Sequence, residues 1–503
     1  MSGTFGVDAV ELTKRFGSFT ALDKVSMKVT PGSFHALLGE NGAGKSTLVK
    51  CIMGYYRADA GAVLVDGREH QMANPRDAMA LGIGMVYQHF TLVPAMTVAE
   101  NLVMSRQQVP SVIDWAKEIV GLEAFMASMP FKVPLRATVA DLSAGERQKT
   151  EILKQLYLES RFLILDEPTS VLTPDEADEM LGLLRGMTQR GELTVLMISH
   201  KFREVTTYAD EVTVLRKGRL AGSGSVRVLS RADMAAMMIG AAELPAPAAR
   251  IGKARPEPVL VLKELTADDP SGRGGIAIDR MVIQAGEIVG IAGVSGNGQK
   301  QLVEVLGGQR RPTGGEVIVL GETYDGARDQ SQTLKVRCLP EEPLRNACVG
   351  RMAVAENLAF RSFDRDRQGT RFWLSGAEMA EQARALIRRY GIKTASKDSP
   401  IQTLSGGNVQ RAVLARELGG EVKLLVVANP CFGLDFAATS LIRGQIVEAR
   451  NHGTAVLLIS EDLDEVLELS DRVLVMSEGK IVYETPIEAA DRHEIGHHMA
   501  GHH

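Results

Sequence analysis

"GSFHALLGENGAGKSTLVKCIMG" (residues 32–54) returns later in the chain as "GEIVGIAGVSGNGQKQLVEVLGG" (286–308). In both copies an apolar run enters a glycine-rich turn, and the turn opens into a segment with apolar residues at helical spacing. The first copy fits G-x-x-x-x-G-K-[ST] at Gly39, Gly44, Lys45 and Ser46, after a strand and before a helix, the setting that a phosphate-binding loop requires. The glycines let backbone N–H groups turn inward on phosphates, and the helix N-terminus adds partial positive charge. Lys45 would reach the β and γ phosphates, and Ser46 would offer its hydroxyl to Mg²⁺.

The echo continues in the same order. "MTVAENL" (96–102) is matched by "MAVAENL" (352–358), "LSAGERQ" (142–148) by "LSGGNVQ" (404–410), "LILDEP" (163–168) by "VVANP" (426–430), and "LMISHKFREV" (196–205) by "LLISEDLDEV" (457–466). Such a repeat marks a duplicated domain. The 503 residues divide into a first domain over 1–240 and a second over 259–503, joined by "AAELPAPAARIGKARPEP" (241–258), whose Ala/Pro composition reads as a semi-rigid linker. Short apolar runs at 34–38, 82–86, 161–165 and 194–198, and again at 287–292, 423–427 and 455–459, alternate with helical segments. That alternation predicts an α/β fold with a largely parallel sheet in each half, and 97–140 reads as an inserted helical subdomain.

Composition excludes several partners. A net charge of −5 gives no electrostatic case for nucleic acid, and four scattered cysteines (Cys51, Cys338, Cys348, Cys431) suggest a reducing compartment without a structural zinc site. The charged N-terminus does not read as a signal peptide, and no stretch is apolar for the length a spanning helix needs, so the expected address is cytosolic.

"FLILDEP" delivers Asp166 and Glu167 to the carboxyl end of a buried strand, where ligands of α/β sheets bind. Asp166 would hold the Mg²⁺ shell and Glu167 would act as general base on the attacking water. Together these motifs resemble the ATP-binding cassette (ABC) family, in the tandem form that powers bacterial carbohydrate and nucleoside importers, over nearly the whole chain. The resemblance implies two tandem P-loop NTPase domains, each with a RecA-like core, an antiparallel β subdomain and a helical subdomain. It also implies ATP and Mg²⁺ as ligands. Gly39, Glu40, Asn41, Gly42, Ala43, Gly44, Lys45, Ser46 and Thr47 become the ATP loop, Phe16 the adenine-stacking ring, Gln88 a Mg²⁺- and water-contacting glutamine, and His200 the switch histidine. Ser46, Gln88 and Asp166 form the implied metal set.

In that family two cassettes pair head to tail, so each ATP meets the loop of one and the signature of the other. The first site then takes its loop, Gln88, Asp166, Glu167 and His200 from the N-terminal half, with Ser405, Gly406, Gly407, Asn408 and Asp435 from the C-terminal half. The second is degraded: Gln299 stands for Lys45, Lys300 for Ser46, Glu341 for Gln88, Ala428 for Asp166, Asn429 for Glu167 and Glu461 for His200. No aromatic residue occurs between Ala209 and Thr323, the complementary signature reads "LSAGE" with Glu146, and Thr173 stands where an Asp is usual. The losses segregate by composite site, which predicts one hydrolytic site and one that does not hydrolyse ATP, although Gly293, Gly296 and Gly298 keep much of a backbone nest.

The resemblance further implies two permease subunits, an extracytoplasmic solute-binding protein reached through them, and a peripheral position on the cytoplasmic face of the bacterial cell membrane. "GVSGNGQ", "LPEEP" and "ANPCFGLD" favour a nucleoside cargo; a ribose/galactose-type importer is the alternative, and a ribosome-acting tandem cassette a more distant one. The tail "HEIGHHMAGHH" reads as a solvated terminal helix, with His493 and His497 at a spacing that metal binding could use.

Overall fold

The computed structural model describes residues 3–88, 90–106, 108–129, 131–169, 172–199, 201–239, 249–268, 275–294, 296–363, 376–432, 434 and 436–499. The chain forms two compact units, Met1–Leu244 and Pro245–His503. Within 241–258, residues 249–257 are tied to the second unit: Ile251 N donates to Asn451 Oδ1 (2.9 Å), Arg450 Nη1 to Ile251 O (2.7 Å), and Arg255 N to Ala285 O (2.9 Å).

Unit 1 contains a six-stranded sheet in the order Arg219–Ser225, Glu211–Arg216, Phe34–Gly39, Thr194–Ile198, Phe162–Asp166, Ile83–Val86. All neighbours are parallel except the first pair. Its central strands are buried on both faces, which is why they read as unbroken apolar runs. Register fixes the site: Leu37 and Asp166 both pair with Ile198, and Gly39 with Leu215. The ends of three strands therefore lie level, bringing the loop after Gly39, the acids after Leu165 and the segment after Ile198 to one edge. An antiparallel sheet in the order Phe19–Val29, Val7–Phe16, Ala60–Val65, Arg68–His70 shares its core with Leu37, Leu48, Ile52 and Phe162. The helices Val98–Met104 and Trp115–Ala127 lie in the expected insertion.

Unit 2 repeats the plan. Its six strands run Val336–Leu339, Leu424–Ala428, Ala455–Ser460, Ile288–Ala292, Arg472–Ser477, Lys480–Pro486, beside an antiparallel sheet of Ile276–Gln284, Pro258–Ala267, Gly314–Val319 and Glu322–Thr323. The terminal helix Arg492–Met499 is docked, where a solvated one was expected. Ile495 and Met499, four apart and so on one face, bury against Val466, Val473 and Val475, and His498 stacks on Tyr483 at 4.5 Å.

One core difference has a measurable consequence. His35, in the strand entering the phosphate loop, is buried with Nε2 2.8 Å from Thr213 Oγ1 and Nδ1 3.6 Å from Glu211. Burial pushes its imidazole down to about 4, against an opposing pull from Asp210. Unit 2 has Val289 and Leu474 at these places. Between pH 6.5 and 4 the unfolded chain takes up a proton that the folded chain refuses, so stability falls as pH falls. The loss is about 2 kcal/mol from pH 7 to pH 5. His35→Val/Thr213→Leu, which removes both polar partners together, is expected to shrink the Tm difference between pH 7 and 5 in thermal melts. An unchanged difference would show that other groups carry it.

Candidate functional site

The phosphate loop hangs from the buried strand Phe34–Gly39 and ends in the helix Lys45–Ile52. Gly44 caps that helix at φ 104°, and a Cβ there would meet Ala21 O at 2.8 Å, so the turn demands glycine. Lys45 Nζ folds back on the loop, donating to Gly39 O (2.6 Å) and Glu40 O (3.1 Å). Burial lowers its pKa, opposed by Glu167, Asp166 and Glu40, so the ammonium is held by the acids that face it.

Ser46, Gln88 and Asp166, the three expected metal ligands, line one cavity of about 400 Å³ together with Lys50, Tyr87 and Thr91. A hydroxyl, an amide oxygen and a carboxylate are hard donors of the kind Mg²⁺ takes, and phosphate oxygens and water would complete its shell. Among the described residues no group of three or more His, Cys, Asp or Glu is placed to hold a metal ion.

Gln88 Nε2 donates to Glu167 Oε2 at 3.1 Å. Glu167 itself has φ 50°, a left-handed backbone that costs a non-glycine residue about 1 kcal/mol or more. The loop beyond Gln88 is anchored by the buried Glu151, which accepts from Thr91 N and Leu92 N and pairs with Lys154 at 2.5 Å. Glu151 lies on the helix Ala144–Tyr157, so that helix and the Gln88 loop are tied together. Phe16 ends its strand half-exposed, edge-on to Tyr56 at 5.2 Å. His200 and Asp435 lie outside the described residues.

Unit 2 keeps the backbone of this site and changes its chemistry. Gly296 and Gly298 hold φ 94° and 104°, close to the 81° and 104° of Gly42 and Gly44. Gln299 Nε2 donates to Val294 O at 3.1 Å, one of the two resting bonds of Lys45 remade without charge. Lys300 is exposed and pairs along its helix with Glu304 at 3.9 Å, so it does not stand in for Lys45. Ala428 is buried in the apolar core. The amide and carboxylate have exchanged places: Asn429 Nδ2 donates to Glu341 Oε1 at 3.1 Å, while Asn429 Oδ1 accepts from Glu461 N at 2.9 Å. Asn429 also has φ 44°, a conformation that Asn adopts more cheaply than Glu.

The two signature helices differ in what occupies their N-termini. In unit 1 Ser143 and Glu146 form a reciprocal capping box, with Glu146 N donating to Ser143 Oγ (3.2 Å) and Ser143 N to Glu146 Oε2 (2.9 Å). That places a carboxylate on the N–H groups that open the helix. In unit 2 Ser405 caps Gly406–Glu417 with no acid in the first turn, and its hydroxyl accepts from Asn408 Nδ2 at 2.8 Å. Ser405 and Gly406 are exposed, with Gly407 and Asn408 half-buried behind them. Thr173 likewise caps Pro174–Gln189 in a box with Glu176. The S-x-x-E and T-x-x-E patterns signal both boxes in the sequence, whereas nothing local signals the Glu341–Asn429 exchange.

The ABC transporter family model matches residues 22–170 and 279–431. A glucose import ATP-binding protein of Haloferax volcanii is 38% identical, over 97% of this chain and 94% of its own. A nucleoside import ATP-binding protein of Lactococcus lactis subsp. cremoris is 34% identical over 98% of each. Among solved structures, the complex of an archaeal ribosomal stalk protein with an archaeal ribosome recycling factor is similar in fold, with a TM-score of 0.63 at 20% identity, covering 95% of this chain and 90% of that one.

Proposed function

The chain belongs to the ABC transporter family and is an ATP hydrolase, and from that premise we propose that it drives solute import through two partner permeases on the cytoplasmic face of the bacterial cell membrane. The observation that carries this reading is the division of labour between the units. Loop lysine, hydroxyl, glutamine and both acids converge in unit 1, while unit 2 keeps an acid-free signature helix and has lost the rest. Among the described residues no helix is long and apolar enough to cross a membrane, so transport requires partners.

In this mechanism the N–H groups of the loop and the Lys45 ammonium bind the triphosphate, and Ser46, Gln88 and Asp166 would hold Mg²⁺, whose charge would offset that of the phosphates. Glu167 takes the proton of the attacking water once Gln88 releases its carboxylate, and His200 steadies the γ-phosphate. Ser405, Gly406, Gly407, Asn408 and Asp435 complete the site when the halves pair head to tail. ATP binding and release of its products then favour different orientations of the permeases.

Nucleosides are the proposed cargo. The glucose-import relative favours a second reading, sugar import, equally. Purifying the chain with its membrane subunits and titrating the associated solute-binding protein with nucleosides, pentoses and hexoses separates them. Nucleoside binding alone is expected, sugar binding alone would move the assignment to the alternative, and co-purification with ribosomes would overturn transport.

A further inference from the structure

Glu204 is a buried carboxylate in the first turn of Phe202–Tyr208, inside the repeated stretch 196–205 but given no role above. One oxygen accepts from Thr169 Oγ1 and lies 3.6 Å from Lys201 Nζ; the other accepts from Ser199 Oγ at 2.9 Å. Lys201 Nζ in turn donates to Thr169 O at 3.2 Å, and Lys201 N to Ser199 Oγ at 3.1 Å. Thr169 stands two residues after Glu167, whose own N–H donates to Ile198 O at 3.0 Å. The carboxylate and its lysine thus clamp the segment that follows the general base onto the segment that flanks position 200. A desolvated carboxylate is costly unless it is fully partnered, so these two segments are held where its partners must be.

Unit 2 supplies an internal comparison. Glu465 is equally buried and accepts from Ser460 Oγ at 2.8 Å, and Asp462 N donates to Ser460 Oγ at 3.1 Å. There, however, Thr169 is replaced by Cys431 and Lys201 by Asp462. The cation is Arg443, 3.4 Å from Glu465, carried by the long helix Phe436–Asn451 and shared with Glu468. The buried acid persists in both units, and Cys431 stays beside Glu465 and Arg443; among the described residues it is Lys201 of unit 1 whose ammonium bonds the main chain just beyond the strand-end acids, at Thr169 O. A left-handed backbone at Glu167 persists only where its surroundings over-determine it, and this clamp is such a constraint.

We propose that Glu204 and Lys201 are positioning residues for ATP hydrolysis in unit 1, holding the Glu167 segment against the segment around position 200, and that the Glu465 network of unit 2 is structural. This rests on unit 1 being the hydrolytic unit. The test uses the full chain, measuring kcat and KM for MgATP together with Tm. Glu204→Gln and Lys201→Met are each expected to lower kcat on the order of tenfold with KM nearly unchanged, because misplacing a reacting group acts on turnover and leaves substrate binding intact. Lys201→Arg is expected to restore most of the rate. Glu465→Gln is expected to lower Tm and leave kcat near that of the parent. A loss of kcat in Glu204→Gln no greater than in Glu465→Gln overturns the proposal, as does a parallel change in kcat and KM. If Glu204→Gln does not fold, the Lys201 pair decides on the same criteria. Glu167→Gln run alongside separates the two readings. Retained hydrolysis there sinks the unit 1 assignment itself, whereas hydrolysis lost there but kept in Glu204→Gln and Lys201→Met sinks the positioning role alone.

Discussion

Glu167→Gln is expected to reduce steady-state ATP hydrolysis by a factor on the order of a thousand while leaving ATP binding intact, since removal of a general base typically costs between a hundredfold and ten-thousandfold. The substitution is nearly isosteric, and the contact with Gln88, now 3.1 Å from a carboxylate oxygen, can persist between two amides. What disappears is the proposed proton acceptor. The reciprocal change, Asn429→Glu, is expected to add no activity. Gln299 lacks the charge of Lys45, Ala428 offers no metal ligand, and the new acid would face Glu341, which now accepts from Asn429 at 3.1 Å. It would also impose a left-handed backbone on a glutamate, so unit 2 should lose stability by about 1 kcal/mol. Phosphate release by the two variants and the parent decides the matter. More than a tenth of parental activity in Glu167→Gln, or a gain in Asn429→Glu, would dismiss a single hydrolytic site.

The parts of this site that were legible in the sequence are those set by short-range patterns. Strands such as Phe162–Asp166 and Leu424–Ala428 are buried on both faces and announce themselves as apolar runs; their observed ends fall within a residue of the runs at 161–165 and 423–427. The phosphate loop is similarly local, because its geometry depends on glycines at fixed offsets from one strand. Contacts that join distant segments left no such mark. Gln88 and Glu167 are 79 residues apart, Glu341 and Asn429 are 88, and Thr169 and Glu204 are 35. Glu151 and Glu204 look like ordinary helix-surface acids until packing turns them inward. The exchange of amide and carboxylate between Gln88/Glu167 and Glu341/Asn429 shows why the second site reads in sequence as mere loss: each position has changed type, but the hydrogen bond across the strand ends remains.

The largest effect on binding is expected from Lys45→Gln, for which unit 2 shows how the loop accommodates the change. Gln299 sits in a loop with nearly the same glycine angles and makes a 3.1 Å bond to Val294 O, equivalent to the 3.1 Å bond from Lys45 to Glu40 O. The amide therefore closes the loop, and the variant should fold. Its loss is electrostatic: hydrogen bonds from a charged donor to phosphate contribute roughly 1.5–3 kcal/mol, so affinity for ATP should fall by about ten- to a hundredfold. Lys45 also sits opposite Asp166 and Glu167, so its removal leaves those carboxylates facing incoming phosphates without a counter-charge. Hydrolysis at saturating ATP should drop by on the order of a hundredfold as well, because the ammonium stabilises charge developing on the γ-phosphate. The direct readout is the ATP-induced rise in Tm, which grows as the logarithm of ligand over Kd and should shrink by the equivalent of about 1.4–2.7 kcal/mol at saturating ATP if unit 1 carries the affinity. Without nucleotide, the variant's Tm should stay close to the parent's, because the loop keeps its closing bond. A full ATP-induced shift surviving in Lys45→Gln would place the nucleotide affinity in unit 2, whose loop keeps the glycine angles of the backbone nest but has Gln299 and Lys300 for the lysine and the hydroxyl.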